Sequence, residues 1–524
     1  MAWSDRPDSL SRAGLVLLAL ISALFLIALD RFPVVIGGDE AHFAVHAESL
    51  ARSGHDLNGA RWPVFVRITD PLVPNNSSNV WYQPLLFYVM MPFVAAFGTG
   101  TWAIRLPVAL MAVASLWLMY AVGLRMFRDR GLAVATALGM AVTPALFIVS
   151  RQALDYIAPV PFILAWLLFF LKFLDDGHIR HAALAGLSLG LALFSYIAAW
   201  VLMPIHLALM LAVMWASNVP QRSRAAAAAT AAFAVPAVAL IIALASNPEM
   251  LSNTLSRYEV SDAATARPDL AERLRLYWDY FNPSFLFFAG GSNPTQATSR
   301  VGVFLLGFLP LMLIGARAAW LGRRDRDRIA LVALAVAPLP IAVTMPPAAA
   351  YSIARAMTML PFGVLIAVLG LDAARRNAKL RPVAIVCLLL IPPQFAAFLA
   401  DYRGGYQRRA APRLDPANMR AVGDAVIALD RETPVPAVYL SDRIDDGGVR
   451  WRLLMSQHGR ADLWTRSRSL STLQPLPAIE PNALVICTTV EPTANLLRNA
   501  GYREVAVIAG ADGESAAVIL KAPG

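Results

Sequence analysis

"AIRLPVALMAVASLWLMYAVGLRMF" runs from Ala103 to Phe127 and carries charge only near its two ends, at Arg105 and Arg125. The apolar run 103–126 exceeds the roughly 18 residues that mark a membrane-spanning helix. Similar runs follow or precede it at 13–29, 131–149, 156–174, 182–198, 199–216, 225–245, 301–321, 329–345, 355–372 and 382–399. The chain is 58% hydrophobic and 15% charged, where soluble domains sit near half and a quarter. It therefore reads as an α-helical polytopic membrane protein, with about eleven transmembrane helices expected.

Charge sets the orientation. Arg6 and Arg12 precede the first apolar run, which is long for a signal peptide and lacks a following A-x-A site, so an uncleaved first helix is expected. With the N-terminus cytoplasmic, the cytoplasmic loops are "RMFRDRG", "DDGHIRH", "NVPQRSR", "GRRDRDR" and "ARRNAKLR". All are short and most are basic, as the positive-inside rule demands. A shorter apolar stretch, Leu85–Phe97, fits an interfacial or re-entrant helix. Counting it as a span would turn most of the basic loops outward. The net charge of +10, nearly all arginine, is thus a topological signal and not a nucleic-acid footprint. Cys387 falls in an apolar run and Cys487 in the polar tail, so no disulfide is expected.

This orientation leaves three larger pieces outside, 30–102, 246–300 and the tail from about 401, which implies a membrane module over 1–400 and a soluble extracytoplasmic domain over 401–524. In the tail, "PANMRAVGDAVIALDR" and "TANLLRNAG" have helical periodicity. "VPAVYL", "NALVIC", "REVAVIA" and "AAVILK" read as short strands. A small α/β domain follows. It contains no G-x-G-x-x-G, P-loop or zinc spacing.

Positive-inside does not explain Arg105, Arg151 and Arg355, each at the outer end of an apolar run, nor Asp39, Glu40 and Asp155 at the same level. Ionisable groups at such edges point to function, although a lone arginine can snorkel there. Asp39 also suits a helix start, and Glu40 the first turn. Beyond them, Phe43, Ala47 and Leu50 form an apolar stripe and His42, His46 and Ser49 a polar one, predicting an amphipathic helix on the outer surface with solvated histidines. His42 and His46 lack a clear third ligand, so no metal site is expected. Two aromatic stretches, "NVWYQPLLFYVMMPF" and "LYWDYFNPSFLFFAGG", read as an interfacial belt or as a greasy rim guiding a lipid chain.

The order of "GGDEAHFAVHAESLARSG", "YQPLLFY", "AIRLPVALMAVASLWLMYAVGLRMF" and "SRQALDYIAPVPFILAWLLFFL" resembles the bacterial GT-C glycosyltransferases. It is similar to their branch of protein O-mannosyltransferases and lipid A aminoarabinose transferases. The resemblance spans roughly residues 10–400 and rests on the set of motifs, not on any one of them. It implies a polyprenyl-phosphate sugar donor, an envelope acceptor of unknown class, and work on the outer face of the bacterial inner membrane. By the resemblance, Asp39 with Glu40 beside it, Asp155, Arg105 and Arg355 fall on the family's functional positions. Where many relatives carry His-Pro-Pro, this chain has Tyr82-Gln83-Pro84, which removes one polar ligand.

These readings give a mechanism. Asp39 is the expected general base, with Glu40 and Asp155 orienting the acceptor or holding an arginine. Arg105, Arg355 and Arg151 are expected at the lipid phosphate, since the guanidinium fork suits it, with Tyr82 and Gln83 lining the entry. No cofactor is expected, and the sequence supplies no ligand set for a divalent metal, which some GT-C relatives use. A transporter or flippase of lipid-linked glycans is the alternative. It should show internal repeats and broken midplane helices, whereas no repeat is evident here and the ionisable groups gather at one face. A purely structural membrane anchor for the tail fits Asp39, Asp155 and Arg105 less well.

Overall fold

The computed structural model describes residues 9–72, 80–217, 219, 221–258, 269–291, 293–322, 324–344, 351–472 and 478–524. Arg6 and residues 346–350, in the stretch leading to Arg355, lie outside the described residues. The chain divides into two compact units. One comprises Met1–Ile27, Val108–Arg151 and Asp155–Asp401. The other comprises Ala28–Pro107, Gln152–Leu154 and Tyr402–Gly524.

Helices dominate, and the chain is a multi-pass membrane protein. Among the described residues, five stretches are long and apolar enough to cross a bilayer: Thr101–Phe127, Asp155–Asp176, Ala199–Ala216, Arg222–Ala245 and Arg381–Arg403. The remaining apolar runs form shorter or interrupted helices. Run 131–149 divides into Arg130–Ala141 and Pro144–Val149, and run 329–345 into Asp325–Val336 and Leu339–Thr344. Pro144 and Pro338 stand at these breaks, because proline has no N–H to continue the ladder. Run 301–321 is helical only over Phe308–Leu321. Run 355–372 opens with the single turn Ile353–Ala356 before Met359–Arg376.

Helices of the first unit meet through small residues. A Cβ on Gly315 would lie 1.8 Å from the Ile366 carbonyl, and one on Gly370 would lie 1.9 Å from that of Leu311, so Phe308–Leu321 and Met359–Arg376 touch backbone to backbone. Elsewhere Val235, Ile241, Ile242 and Leu389 stay exposed, as lipid-facing side chains do. The five basic loops gather at one end of this unit. Asp175 receives Arg128 at 2.8 Å, Arg326 at 2.5 Å and Arg125 at 3.7 Å. Asp129 receives Arg375 at 2.8 Å, and the Ser217 hydroxyl donates to Asp325 at 2.5 Å.

The second unit joins residues 28–107 to the tail. Strand β1 (Val66–Ile68) pairs antiparallel with β2 (Val80–Tyr82), placing Tyr82 opposite Val66. The tail carries β3 (Val438–Ser441), β4 (Ser467–Leu470), β5 (Leu484–Thr488), β6 (Arg503–Ala509) and β7 (Ser515–Lys521), in the order β4-β3-β5-β7-β6. β4, β3 and β5 are parallel, and β7 runs antiparallel to β5 and β6. Alternation along the strands gives the sheet two apolar faces. One packs with Val422, Val426, Trp451 and Met455 of the helices Met419–Glu432 and Gly447–Gln457; the other packs with Ala494 and Leu497 of Pro492–Asn499. Cys387 and Cys487 are both free and buried.

Candidate active site

Asp39 and Glu40 occupy the first turn of the helix Gly38–Ser53, where negative charge meets the positive end of the helix dipole. Neighbours in sequence, they have opposite surroundings. Glu40 is buried and fully engaged. Its Oε1 accepts from Arg105 Nε at 2.9 Å and from the Ala153 N–H at 2.8 Å. Its Oε2 accepts from Arg105 Nη2 at 3.0 Å and from the Gly37 N–H at 3.1 Å. Asp39 is half-buried, and its Oδ1 accepts the Tyr82 hydroxyl at 2.6 Å. Its Oδ2 has no hydrogen bond among the described residues.

Arg105 is wholly buried. Beyond Glu40, its Nη1 donates to the carbonyls of Leu29 (2.9 Å) and Pro33 (2.8 Å), and its Nη2 to that of Val35 (2.9 Å). An arginine has five N–H donors, and here every one is used inside the protein. The bidentate carboxylate and three carbonyls fix the segment 29–37 that leads into the helix. This geometry leaves Arg105 no donor for a phosphate.

The tail completes this framework. Gln407 Oε1 accepts the Val34 N–H at 2.8 Å, and Arg450 Nη1 donates to the Ile36 carbonyl at 2.9 Å. His42 Nε2 meets Asp446 Oδ1 at 3.2 Å. Burial would raise the Asp446 carboxyl, but the His42 bond and the charges of His42 and Arg450 carry it below its ordinary value. Gly38 is required by this contact, since a Cβ there would sit 1.7 Å from Asp446 Oδ2. The solvated histidine face expected from the sequence is overturned: His42 and His46 are buried. The partner of His42 comes from a segment some four hundred residues later, which no local periodicity can reveal, while His46 packs on Phe87 and accepts the Leu57 N–H. Burial, then the charges of His42 and Arg452, push His46 down to about 3, so its ring is neutral. On the far side of the helix, Phe43 packs on Phe87 at 4.6 Å and on Tyr82 at 5.1 Å, seating the helix Leu85–Phe97 and turning the Tyr82 hydroxyl toward Asp39. Gln83 is buried, and its Nε2 has no hydrogen bond among the described residues.

The other expected residues lie in the first unit. Arg151 is buried and donates from Nη2 to the Ile27 carbonyl at 2.6 Å and from Nη1 to Leu24 and Phe25 at 3.3 and 3.4 Å. It thereby caps the negative end of the helix Ser9–Leu26, with its guanidinium 5.3 Å from the Phe147 ring. Asp155 is buried at the start of the turn Asp155–Ile157, which packs against the turn Ile353–Ala356 that carries Arg355. That second turn is held by Gln296, which the sequence did not single out, and by Tyr280 of the second aromatic stretch. Gln296 Oε1 accepts from the Ser352 hydroxyl (2.9 Å) and the Ala354 N–H (3.0 Å), and the Tyr280 hydroxyl donates to the Ser352 carbonyl (2.8 Å). Burial raises the Tyr280 phenol, and the Ser352 hydrogen bond and then the Arg355 charge oppose it. Arg355 is half-buried, unlike Arg105 and Arg151. No three His, Cys, Asp or Glu side chains gather as metal ligands among the described residues.

Residues 82–242 match the dolichyl-phosphate-mannose-protein mannosyltransferase family. The whole chain superposes on ArnT from Cupriavidus metallidurans bound to undecaprenyl phosphate, at 15% identity and a TM-score of 0.60, with 97% of each chain covered. It also superposes on the apo form of that protein, at 15% identity and a TM-score of 0.59, with 98% of each covered. The fold of the chain is that of ArnT. No curated protein matches the chain significantly by sequence. The structural match takes in the tail as well as the apolar helices, since almost the full length of both chains is covered.

Proposed function

We propose that this chain is an inverting glycosyltransferase that moves a sugar from a polyprenyl-phosphate donor to an envelope acceptor at the outer face of the bacterial inner membrane. The observation that carries the reading is the contrast at Asp39-Glu40. One carboxylate is locked by Arg105, while the other keeps an oxygen without an internal partner, at the start of a rigid helix. The GT-C fold supports the donor class. The gathering of five basic loops at one end of the helical unit supports eleven spans with those loops and the N-terminus cytoplasmic. The tail 401–524 is then an extracytoplasmic domain and 1–400 the membrane module.

Asp39 is the general base. Tyr82 orients it through Oδ1, so that Oδ2 takes the proton of the acceptor hydroxyl or amine. As that atom attacks the anomeric carbon, the bond from carbon to phosphate oxygen breaks, configuration inverts, and polyprenyl phosphate leaves. Negative charge grows on the phosphate, and Arg355 is the cation assigned to it. Asp155 supports the turn that carries Arg355. Glu40 and Arg105 are positioning residues, and Arg151 holds the first helix. The unpaired Gln83 amide is assigned to a sugar hydroxyl.

The test is transfer from a radiolabelled polyprenyl-phosphate sugar in membranes. Asp39→Asn keeps the shape and the Tyr82 bond but cannot take a proton, and should lower transfer by about 100-fold or more. Undiminished transfer in that variant removes Asp39 as the base. Transfer that proceeds without the polyprenyl donor removes the donor class.

A further inference from the structure

The second unit holds a surface cavity of about 190 Å³, lined in part by Glu48, Arg52, Arg452, Met455, Ser456 and Trp464. Arg452 stands apart from the other arginines packed into this unit. Arg105, Arg450, Arg460 and Arg466 all hold carboxylates or carbonyls. Arg452 is half-buried and makes no hydrogen bond or ion pair among the described residues. Its guanidinium lies over the Trp464 ring, 5.3 Å from the centroid, which steadies it and leaves its five N–H donors uncommitted. None of its nitrogens is sealed from the surface, so a ligand in the cavity can reach them.

The charges of the lining select an anion. Arg52 is held at 2.6 Å by Glu48 Oε1, which also accepts the Ser456 hydroxyl at 2.8 Å. Two guanidiniums against this one carboxylate leave the lining net positive. Burial pulls the Arg452 guanidinium below its ordinary value; Glu48 opposes this and Arg52 adds to it. An anion between the two cations would relieve that penalty. The volume is below the roughly 300–1,000 Å³ of drug-sized pockets, which suits one small charged group and its nearest atoms.

The place of the cavity in the fold selects among anions. Ser456 meets the Thr99 hydroxyl at 3.1 Å, and Gln457 donates to the Thr99 carbonyl at 2.9 Å. Thr99 stands two residues ahead of Thr101–Phe127, which is long and apolar enough to cross a bilayer. Phe97 and Trp102, on either side of Thr99, meet edge to face at 5.6 Å and are 59% and 39% exposed. Exposed aromatic rings at the end of a spanning helix mark the headgroup level. The cavity therefore lies where a bilayer presents its phosphates, and the guanidinium fork suits a phosphate.

We propose that this cavity binds the phosphate headgroup of an anionic phospholipid, in the leaflet at the Thr101 end of the spanning helix. The lipid chains stay in the bilayer. This anchor does not depend on Asp39 being the base. Glu48 and Arg52 belong to the helix Gly38–Ser53, and Arg452 to Gly447–Gln457, so a bound headgroup would clamp the two helices together.

The test uses the full chain in detergent micelles, with phosphatidylglycerol, phosphatidylcholine, a polyprenyl phosphate and soluble glycerol 3-phosphate as probes, read by native mass spectrometry. The unaltered chain should retain phosphatidylglycerol about tenfold more strongly than phosphatidylcholine, the worth of one charge-assisted contact. Arg452→Gln should abolish that preference. Arg452 has no internal partner to strand, so this variant should melt like the unaltered chain in phosphatidylcholine. Arg52→Gln, at a side chain 76% exposed, should weaken the preference about fivefold. A preference that survives both substitutions, or no preference in the unaltered chain, overturns the proposal. Displacement of phosphatidylglycerol by equimolar glycerol 3-phosphate would assign the site to soluble anions and overturn the lipid source. Arg452-dependent retention confined to the polyprenyl phosphate would assign it to the sugar donor and overturn it likewise.

Discussion

At the scale of single residues, the site separates two jobs that adjacent carboxylates could share. Glu40 is a structural anion because both its oxygens are saturated, two of the bonds coming from one guanidinium. Removing one member of a buried, hydrogen-bonded ion pair leaves the other charge stranded and typically costs about 3–5 kcal/mol. Arg105→Ala and Glu40→Ala should therefore each lower the melting temperature and the folded yield. Arg105→Lys should not rescue, since an ammonium cannot replace the fork or reach three carbonyls at once. Tyr82→Phe makes a different expectation. It removes only the hydroxyl on Asp39 Oδ1, so transfer should fall about tenfold with the melting temperature unchanged. If Tyr82→Phe melts early and transfers normally, its hydroxyl is structural. The acidic pair and Arg105 were legible in the sequence as misplaced charge. Their division of labour was not, because it depends on which backbone carbonyls fold around Arg105.

At the scale of elements, the helix Gly38–Ser53 shows where periodicity misleads. Its stripe of His42, His46 and Ser49 reads as a wet face, yet two of the three are buried against other elements of the unit. The contact with Asp446 is tight enough to test sterically. Gly38→Ala drives a methyl into the Asp446 carboxylate and should cost about 1–3 kcal/mol. Asp446 has φ of 50°, a backbone that suits glycine, so adding Asp446→Gly should recover most of that loss. A double variant no more stable than Gly38→Ala would show that the clash lies elsewhere. His46 makes the same burial visible in pH. Its folded value of about 3 lies below the ordinary 6.5, so between those values the unfolded chain holds a proton that the folded one does not. Its contribution to stability is complete above pH 6.5 and declines below it, by up to about 1.4 kcal/mol per pH unit. Thermal melting from pH 7 to 5 should follow that slope, and His46→Gln should flatten it. In the tail, the strands rich in valine, isoleucine and alanine were readable. β4, with the sequence "SRSL", was not, because neither alternation nor branching marks so short a polar strand.

At the scale of the whole molecule, the tail and residues 28–107 form one compact unit although some three hundred residues separate them. A run of helices can be read from apolar lengths alone, but a unit assembled from both ends of a chain cannot, since nothing local in residues 34–56 announces Gln407, Asp446, Arg450 or Ser456. The last of these donates to Glu48 at 2.8 Å, and Gln457 donates to the Thr99 carbonyl at 2.9 Å, so the tail touches both ends of the outer segment. The tail thereby holds the helix that carries Asp39. A chain ended after Asp401 tests this. It keeps every apolar helix and should still insert, but it loses the bonds to Val34, Ile36, His42 and Glu48. Amide exchange over residues 38–50 should therefore accelerate sharply and transfer should vanish, while exchange in Met359–Arg376, which packs on Phe308–Leu321 within the other unit, stays slow. Slow exchange over 38–50 in the shortened chain would mean that the outer segment folds by itself. In that case the tail's contacts with residues 34–48 would follow that fold without creating it.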